Sequence, residues 1–222
     1  MDIRITADQS NTLFSGKYGA HYHSLYGALE ESIHIFISAG LYHAYRLGKT
    51  KVSIFEMGLG TGLNAFLTLL ESRKLGIDID YFAIESDPVP EEIFKSLNYS
   101  KLLQLSQDEE ALFQLIHQKS WNKPHTLTDS FSLHKSQGKI ETATLSAAYD
   151  IIYFDAFAPS SQPQLWEMEL HKKLYDRLNV GGHLVTYCTQ GAFRRTLESL
   201  GYRIEKLNGP GKKREMMRAT KV

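Results

Sequence analysis

The chain predicts an α/β fold built on an open, mostly parallel sheet, and three segments carry that prediction. The first, Ser53–Phe66, joins an apolar strand to a helix through Gly58, Gly60 and Gly62. The second is the run Ile79–Ile84, which ends in Glu85, and the third is Tyr149–Phe154, which delivers Asp155. Ligands of such sheets gather outside the carboxyl ends of the strands. Glu56, Glu85 and Asp155 are therefore expected to point into one crevice.

The remaining elements follow in order. Short hairpin strands are expected around Ile3–Ile5 and Thr12–Phe14. A long helix then runs from about Leu25 to Tyr45, where Leu29, Ile33, Phe36 and Ile37 recur at helical spacing. Core strands are read near Val52–Phe55, Ile79–Ile84, Ser130–His134, Ile151–Phe154 and His183–Tyr187. Helices fall near Leu63–Leu75, Glu91–Leu97, Glu109–Gln118, Gln164–Leu178 and Ala192–Leu200. Tyr202–Leu207 and Glu215–Lys221, around Asn208-Gly-Pro-Gly211, read as a terminal antiparallel hairpin. No repeat, low-complexity tract or linker interrupts the 222 residues, so one compact unit is expected.

The glycines point to a nucleotide-like ligand, because they let the backbone turn sharply toward it while the next helix offers unpaired N–H groups. Dinucleotide sites place the third glycine three residues after the second; here it follows by two. Glu56-x-Gly58-x-Gly60-x-Gly62 instead resembles the first motif of class I methyltransferases, which bind S-adenosyl-L-methionine. That resemblance implies a Rossmann-like seven-stranded sheet with the terminal hairpin, residues 51–222 forming the methyltransferase domain and residues 1–50 an N-terminal extension and helix capping the crevice. It also implies cofactor contacts from Glu56, Gly58, Gly60, Thr61, Gly62, Asn64, Glu85 and Asp155. Glu56 would meet the amino-acid end directly or through water, and Glu85 the ribose hydroxyls. Glu85 by itself does not separate methyltransferases from dinucleotide enzymes. Asp155-Ala-Phe-Ala-Pro159 is a variation on the Asp/Asn-Pro-Pro-aromatic loop of nitrogen methyltransferases. Gln137-Gly138-Lys139 stands where many class I enzymes carry a Gly-Asp pair, which leaves the adenine contact unassigned.

A narrower resemblance spans nearly the whole chain. Tyr22-His-Ser-Leu-Tyr-Gly-Ala-Leu-Glu-Glu31, Phe55-Glu-Met-Gly-Leu-Gly-Thr-Gly-Leu-Asn64, Tyr153-Phe-Asp-Ala-Phe-Ala-Pro159 with Trp166, and Gly209-Pro-Gly-Lys-Lys-Arg-Glu-Met216 are similar to the methyltransferase domain of the MnmC family. The resemblance implies methylation of the 5-aminomethyl group on wobble (2-thio)uridine in tRNA. It makes Asp155 the catalytic residue and Tyr22, Glu31, Phe157, Pro159, Lys213 and Arg214 substrate contacts. The flavin-dependent oxidase domain of the longer family members has no counterpart before Val222, so a standalone methyltransferase is expected. Its partners would be tRNA and, functionally, a separate oxidase or tRNA-modifying complex that supplies the aminomethyl group.

An alkylamine with a pKa near 10 is only about 0.1% neutral at pH 7, so such a site must help remove a proton. Asp155 is expected to orient the amine and accept or relay that proton. Phe157, Pro159 and Trp166 would line the acceptor entrance, where an aromatic face stacks on an extruded base; Trp166 reads equally well as core. For Glu31, a plain helix salt bridge stands beside a role in binding the acceptor.

Lys/Arg and Asp/Glu balance at 25 each, yet Leu170–Val222 holds twelve basic against four acidic residues. Lys172, Lys173, Arg194, Arg195, Lys212, Lys213, Arg214 and Arg218 are candidates for phosphate contacts, or else solvated helix and hairpin faces. No apolar targeting core or membrane-length run occurs, which favours a cytoplasmic protein away from membranes. Cys188, the single cysteine, reads as buried filler rather than nucleophile. His21-x-His23 lacks the further ligands of a closed zinc site, so no metal is expected. Two other functions fit the same fold: methyl or aminopropyl transfer to a small amine, and a non-catalytic cofactor- or RNA-binding module.

Overall fold

The computed structural model describes residues 1–211 and 214–222. Lys213, one of the expected substrate contacts, and its neighbour Lys212 lie outside the described residues.

A small antiparallel sheet comes first, formed by β1 (Asp2–Ile5), β2 (Asn11–Ser15) and β3 (Ala20–His21) in that order. Helix α1 follows through Ala28–Ser32, a π-helical stretch Ile33–Leu41, and Tyr42–Arg46. The main sheet comprises β4 (Lys51–Met57), β5 (Asp78–Glu85), β6 (Lys123–Thr128), β7 (Phe131–Gln137), β8 (Tyr149–Phe154), β9 (Leu178–Thr186), β10 (Tyr202–Asn208) and β11 (Glu215–Lys221). Its order is β10-β11-β9-β8-β4-β5-β7-β6. The pairs around β4 are parallel, whereas β6 and β11 pair antiparallel with their neighbours.

Helices α2 (Leu63–Leu75), α3 (Glu91–Phe94), α4 (Tyr99–Leu102), α5 (Gln107–Gln118), α6 (Met168–Asp176) and α7 (Gly191–Ser199) cover the sheet. The middles of the central strands are mostly apolar because both their faces are buried. Side chains alternate between the layers. Ile54, Ile151 and Tyr153 join α1, α2 and α5 in one core, while Phe55, Ile152 and Phe154 join α6 and α7 in the other.

Eight strands form this sheet where seven were expected. The extra one, β6, is an edge strand of sequence Lys-Pro-His-Thr-Leu-Thr, largely exposed and carrying the proline that edge strands tolerate. Its polar composition gave no strand signal. The helix expected over Gln164–Leu178 is broken at Glu167 into a 3₁₀ turn, Pro163–Trp166, and α6. Of the N-terminal fifty residues, α1 buries Ile35, Phe36, Ile37 and Leu41 in the main core, and Lys17 and Tyr18 of the β2–β3 turn, with Tyr22 and His23 after β3, reach the crevice.

The π-helical stretch of α1 is in close contact with distant parts of the chain. A Cβ on Gly40 would lie 2.9 Å from the Tyr153 ring, so only glycine lets the helix approach β8 this closely. Two main-chain acceptors in this stretch are taken by distant side chains: the Ala39 carbonyl accepts from Arg218 Nη1 at 3.2 Å, and the Gly40 carbonyl from His183 Nε2 at 3.1 Å.

Candidate active site

β4 parts from its neighbours at the point where the chain turns to β5 on one side and later places β8 on the other. The crevice opens there, as strand-order reversal dictates. Leaving β4, the chain passes through Gly58 (φ 87°), Gly60 (φ 53°) and Gly62 (φ 74°), left-handed conformations that favour glycine. A Cβ on Gly60 would come within 3.0 Å of the Tyr22 ring, and one on Gly62 within 2.7 Å of His117 Nε2. Gly62 thus faces packed protein and is not among the residues that line the crevice.

The crevice holds a cavity of about 300 Å³ lined by Tyr22, Gly58, Gly60, Thr61, Asn64, Glu85, Asp155 and Phe157, all singled out from the sequence. Glu85 is buried, its oxygens accepting from the Gly60 N–H at 2.9 Å and the Asp87 N–H at 2.8 Å. Burial raises its pKa, and these backbone donors pull the other way. Asp155 Oδ2 accepts from Asn64 Nδ2 at 2.8 Å.

Glu56 sits behind this wall, fully buried. The Tyr81 hydroxyl and the Asn64 amide lie beside it, but neither oxygen of its carboxylate is in hydrogen-bonding geometry with a partner. Burial, and then the charge of Asp155, push its pKa well above the usual carboxylate range. Asn64 Oδ1 is likewise buried and unmatched.

The loop after β8 is braced from three sides. Trp166 Nε1 donates to the Phe157 carbonyl at 2.9 Å, the Tyr187 hydroxyl to the Ala156 carbonyl at 2.8 Å, and the Phe157 N–H to Gln162 Oε1 at 3.3 Å. Trp166 packs edge-on against Phe154 and Phe193 and is a core residue, which resolves its two readings. Across the crevice, Tyr22 and Tyr18 press on Phe157 with ring centroids 5.1 and 4.9 Å away. Lys17 Nζ and the Tyr18 hydroxyl both reach Asp87 at 2.7 Å. The turn between β2 and β3 therefore straps the loop after β8 to the end of β5. Burial would raise the Asp87 pKa, but these hydrogen bonds hold it low.

Other expected residues lie away from the cavity wall. Pro159 is half-buried on the braced loop. Glu31 is buried at the start of α1, where it accepts from the Ser24 N–H at 2.7 Å. Arg214 is exposed and lines a separate depression with Tyr187, Thr189 and Glu215. Among the basic candidates, Lys172 and Arg195 are also exposed. Lys173 is instead bonded to the Ile140 carbonyl at 2.7 Å, and Arg218 to Glu205 at 3.0 Å. Sequence reasoning missed Lys17, Tyr18, Ile140 and Glu141; the last two line the cavity with Gly138 and Lys139, the position at which the sequence leaves the adenine contact unassigned. Among the described residues, no three metal-ligating side chains gather and no helix is long and apolar enough to cross a membrane. Cys188 is buried.

A parallel sheet with a glycine turn after its first central strand and acids at the ends of three adjacent strands defines the α/β fold of class I S-adenosyl-L-methionine-dependent methyltransferases. Residues 114–222 match the model of a family described as S-adenosyl-L-methionine-dependent methyltransferase. It is 31% identical over 218 residues to the tRNA 5-methylaminomethyl-2-thiouridine biosynthesis bifunctional protein MnmC of Ralstonia nicotianae, covering 92% of this chain and 32% of that protein. The protein of the same name from Leptospira interrogans is 30% identical over 221 residues, covering 96% and 34%. The chain thus spans about a third of the length of these relatives. The crystal structure of MnmC2 from Aquifex aeolicus shares the fold with a TM-score of 0.80 at 23% identity, covering 99% of this chain and 69% of that one.

The residues present fit S-adenosyl-L-methionine. Glu85 and Asp155 present carboxylates to the cavity with Glu56 buried behind them, an acidic lining that suits the ammonium end and ribose hydroxyls of such a ligand. The cavity volume lies in the range of small-ligand sites.

Proposed function

We propose that this chain catalyses S-adenosyl-L-methionine-dependent N-methylation of the 5-aminomethyl group of wobble (2-thio)uridine in tRNA, giving 5-methylaminomethyl, in the cytoplasm. The observation that carries this reading is Asp155: it faces the cavity at the end of β8, held by Asn64, on a loop whose Phe157 offers an aromatic surface. The names of the MnmC relatives supply the substrate class. A separate oxidase or tRNA-modifying complex would deliver the aminomethyl nucleoside.

When bound, the cofactor supplies an electrophilic methyl group on a sulfonium. The chain's own residues do the rest. Glu56, Asn64 and Glu85 orient the ligand, while Gly58 and Gly60 bring the backbone against it. Phe157 and Tyr22 flank the incoming base and exclude water. Asp155 Oδ1 or Oδ2 orients the substrate ammonium and takes its proton as the nitrogen lone pair is freed. Exposed Lys172, Arg195 and Arg214 are suited to phosphate contacts.

Transfer of labelled methyl to tRNA bearing 5-aminomethyl-2-thiouridine, followed by nucleoside mass analysis, tests the reading. One methyl gained on the wobble nucleoside is the expected result; methylation of polyamines with none of tRNA would overturn it. Asp155→Asn retains a side chain able to accept from Asn64 but removes the base. Turnover should fall by about 10²- to 10⁴-fold, the usual worth of a general base, with cofactor affinity little changed. Wild-type turnover in that variant would remove Asp155 from the mechanism.

A further inference from the structure

His117 lies on the last turn of α5, yet its ring is packed beneath the glycine turn. It stacks on Phe94 with centroids 4.2 Å apart and meets Phe113 edge-on at 5.3 Å. Its Nε2 is 3.0 Å from the Thr61 carbonyl oxygen. A carbonyl only accepts, so Nε2 must carry the proton. Burial, which pushes the imidazole pKa down to about 4, keeps the ring neutral at pH 7. The Lys135 ammonium donates to the His117 main-chain carbonyl at 2.7 Å, a cation on the C-terminal end of the helix that fixes its last turn. The Tyr99 hydroxyl donates to the Asn11 carbonyl at 2.8 Å and lies 3.3 Å from Thr61 Oγ1. Thr61 is therefore gripped by both its side chain and its peptide, and it lines the cavity.

We infer that His117 is a positioning residue for cofactor binding: its Nε2–H fixes the Thr61 peptide and so sets the backbone that faces the ligand. This role depends on the cavity taking S-adenosyl-L-methionine, as proposed above. It also gives Gly62 a reason independent of ligand contact, because the third glycine leaves the space that the imidazole fills.

Calorimetric binding of S-adenosylhomocysteine to the full chain separates the possibilities. His117→Phe preserves the stacked ring without a donor, whereas His117→Gln can place an amide N–H where Nε2 stood. The Phe variant should bind about tenfold more weakly, in keeping with one lost hydrogen bond to a buried acceptor. The Gln variant should stay within about threefold, since it restores that bond. Acceptor KM should move in neither. Should His117→Phe fail to fold, His117→Asn, whose shorter amide cannot reach Thr61, should show the same loss. Equal losses for Phe and Gln, or wild-type affinity in a donor-free variant, would overturn the positioning role. A wild-type chain that binds the ligand tightly while leaving tRNA unmethylated would overturn the substrate assignment and leave that of His117 intact.

Discussion

Three acids at adjacent strand ends look equivalent in the sequence, and their surroundings make them different. Glu85 has backbone donors on both oxygens, Asp155 has Asn64, and Glu56 has burial without a hydrogen bond. Because the folded-state pKa of Glu56 is raised above the ordinary 4.5, its contribution favours the fold fully below about pH 4.5 and is lost as pH rises toward the native value. Glu56→Gln should accordingly raise the melting temperature of the ligand-free protein at pH 8, change it little at pH 4, and weaken cofactor binding. Thermal melts at both pH values with and without S-adenosylhomocysteine check this; no stabilisation at pH 8 would mean that the carboxylate is not destabilised by its burial. These acids were legible because each ends an apolar run. Their supports were not: His117 meets Thr61 across 56 residues and Lys17 meets Asp87 across 70, separations that no local pattern encodes.

At the scale of elements, the strap between β2 and β3 ties one rim of the cavity to the other through Asp87 and Phe157. Lys17 is largely exposed, so its ion pair contributes little to global stability. Its effect belongs to ligand exchange. Asp87→Ala should speed cofactor release several-fold in a stopped-flow displacement experiment while leaving the melting temperature nearly unchanged. An unaltered release rate would show that the strap does not retain the ligand. Apolar runs made β4, β5 and β8 readable, whereas β9 starts at Leu178, ahead of the expected His183–Tyr187, and α5 starts at Gln107 under the capping box of Ser106 and Glu109, ahead of its expected start at Glu109. By contrast, β6 has no apolar run, and the π-helical stretch of α1 is bonded to Arg218 and His183, which lie far along the chain.

For the whole molecule, buried histidines set the acid limit. Burial pushes His117 and His171 down to about 4 and His183 to about 3, so the folded chain keeps them neutral where an unfolded chain would protonate them. Their stabilising contribution is present above about pH 6.5 and is lost as pH falls toward 4, by up to about 1.4 kcal/mol per pH unit for each ring. The opposing contribution comes from Glu56 and Glu85, two buried acids against three buried histidines. Urea midpoints should therefore fall steadily from pH 6.5 to 4.5, and a flat profile there would show that the rings are not buried as neutral species.

The sheet order also constrains how the molecule can be assembled. β11, drawn from residues 215–221, is an interior strand flanked by β9 and β10. During synthesis on a ribosome, a nascent chain ending at Asn208 would contain β10 but not the strand that joins it to the rest, and β9 would present an open edge. Closure of the sheet must then wait for residues 215–221 to emerge. The same residues bring Arg218 to the waiting carbonyl of Ala39, so completion of the sheet and final fastening of α1 become one event.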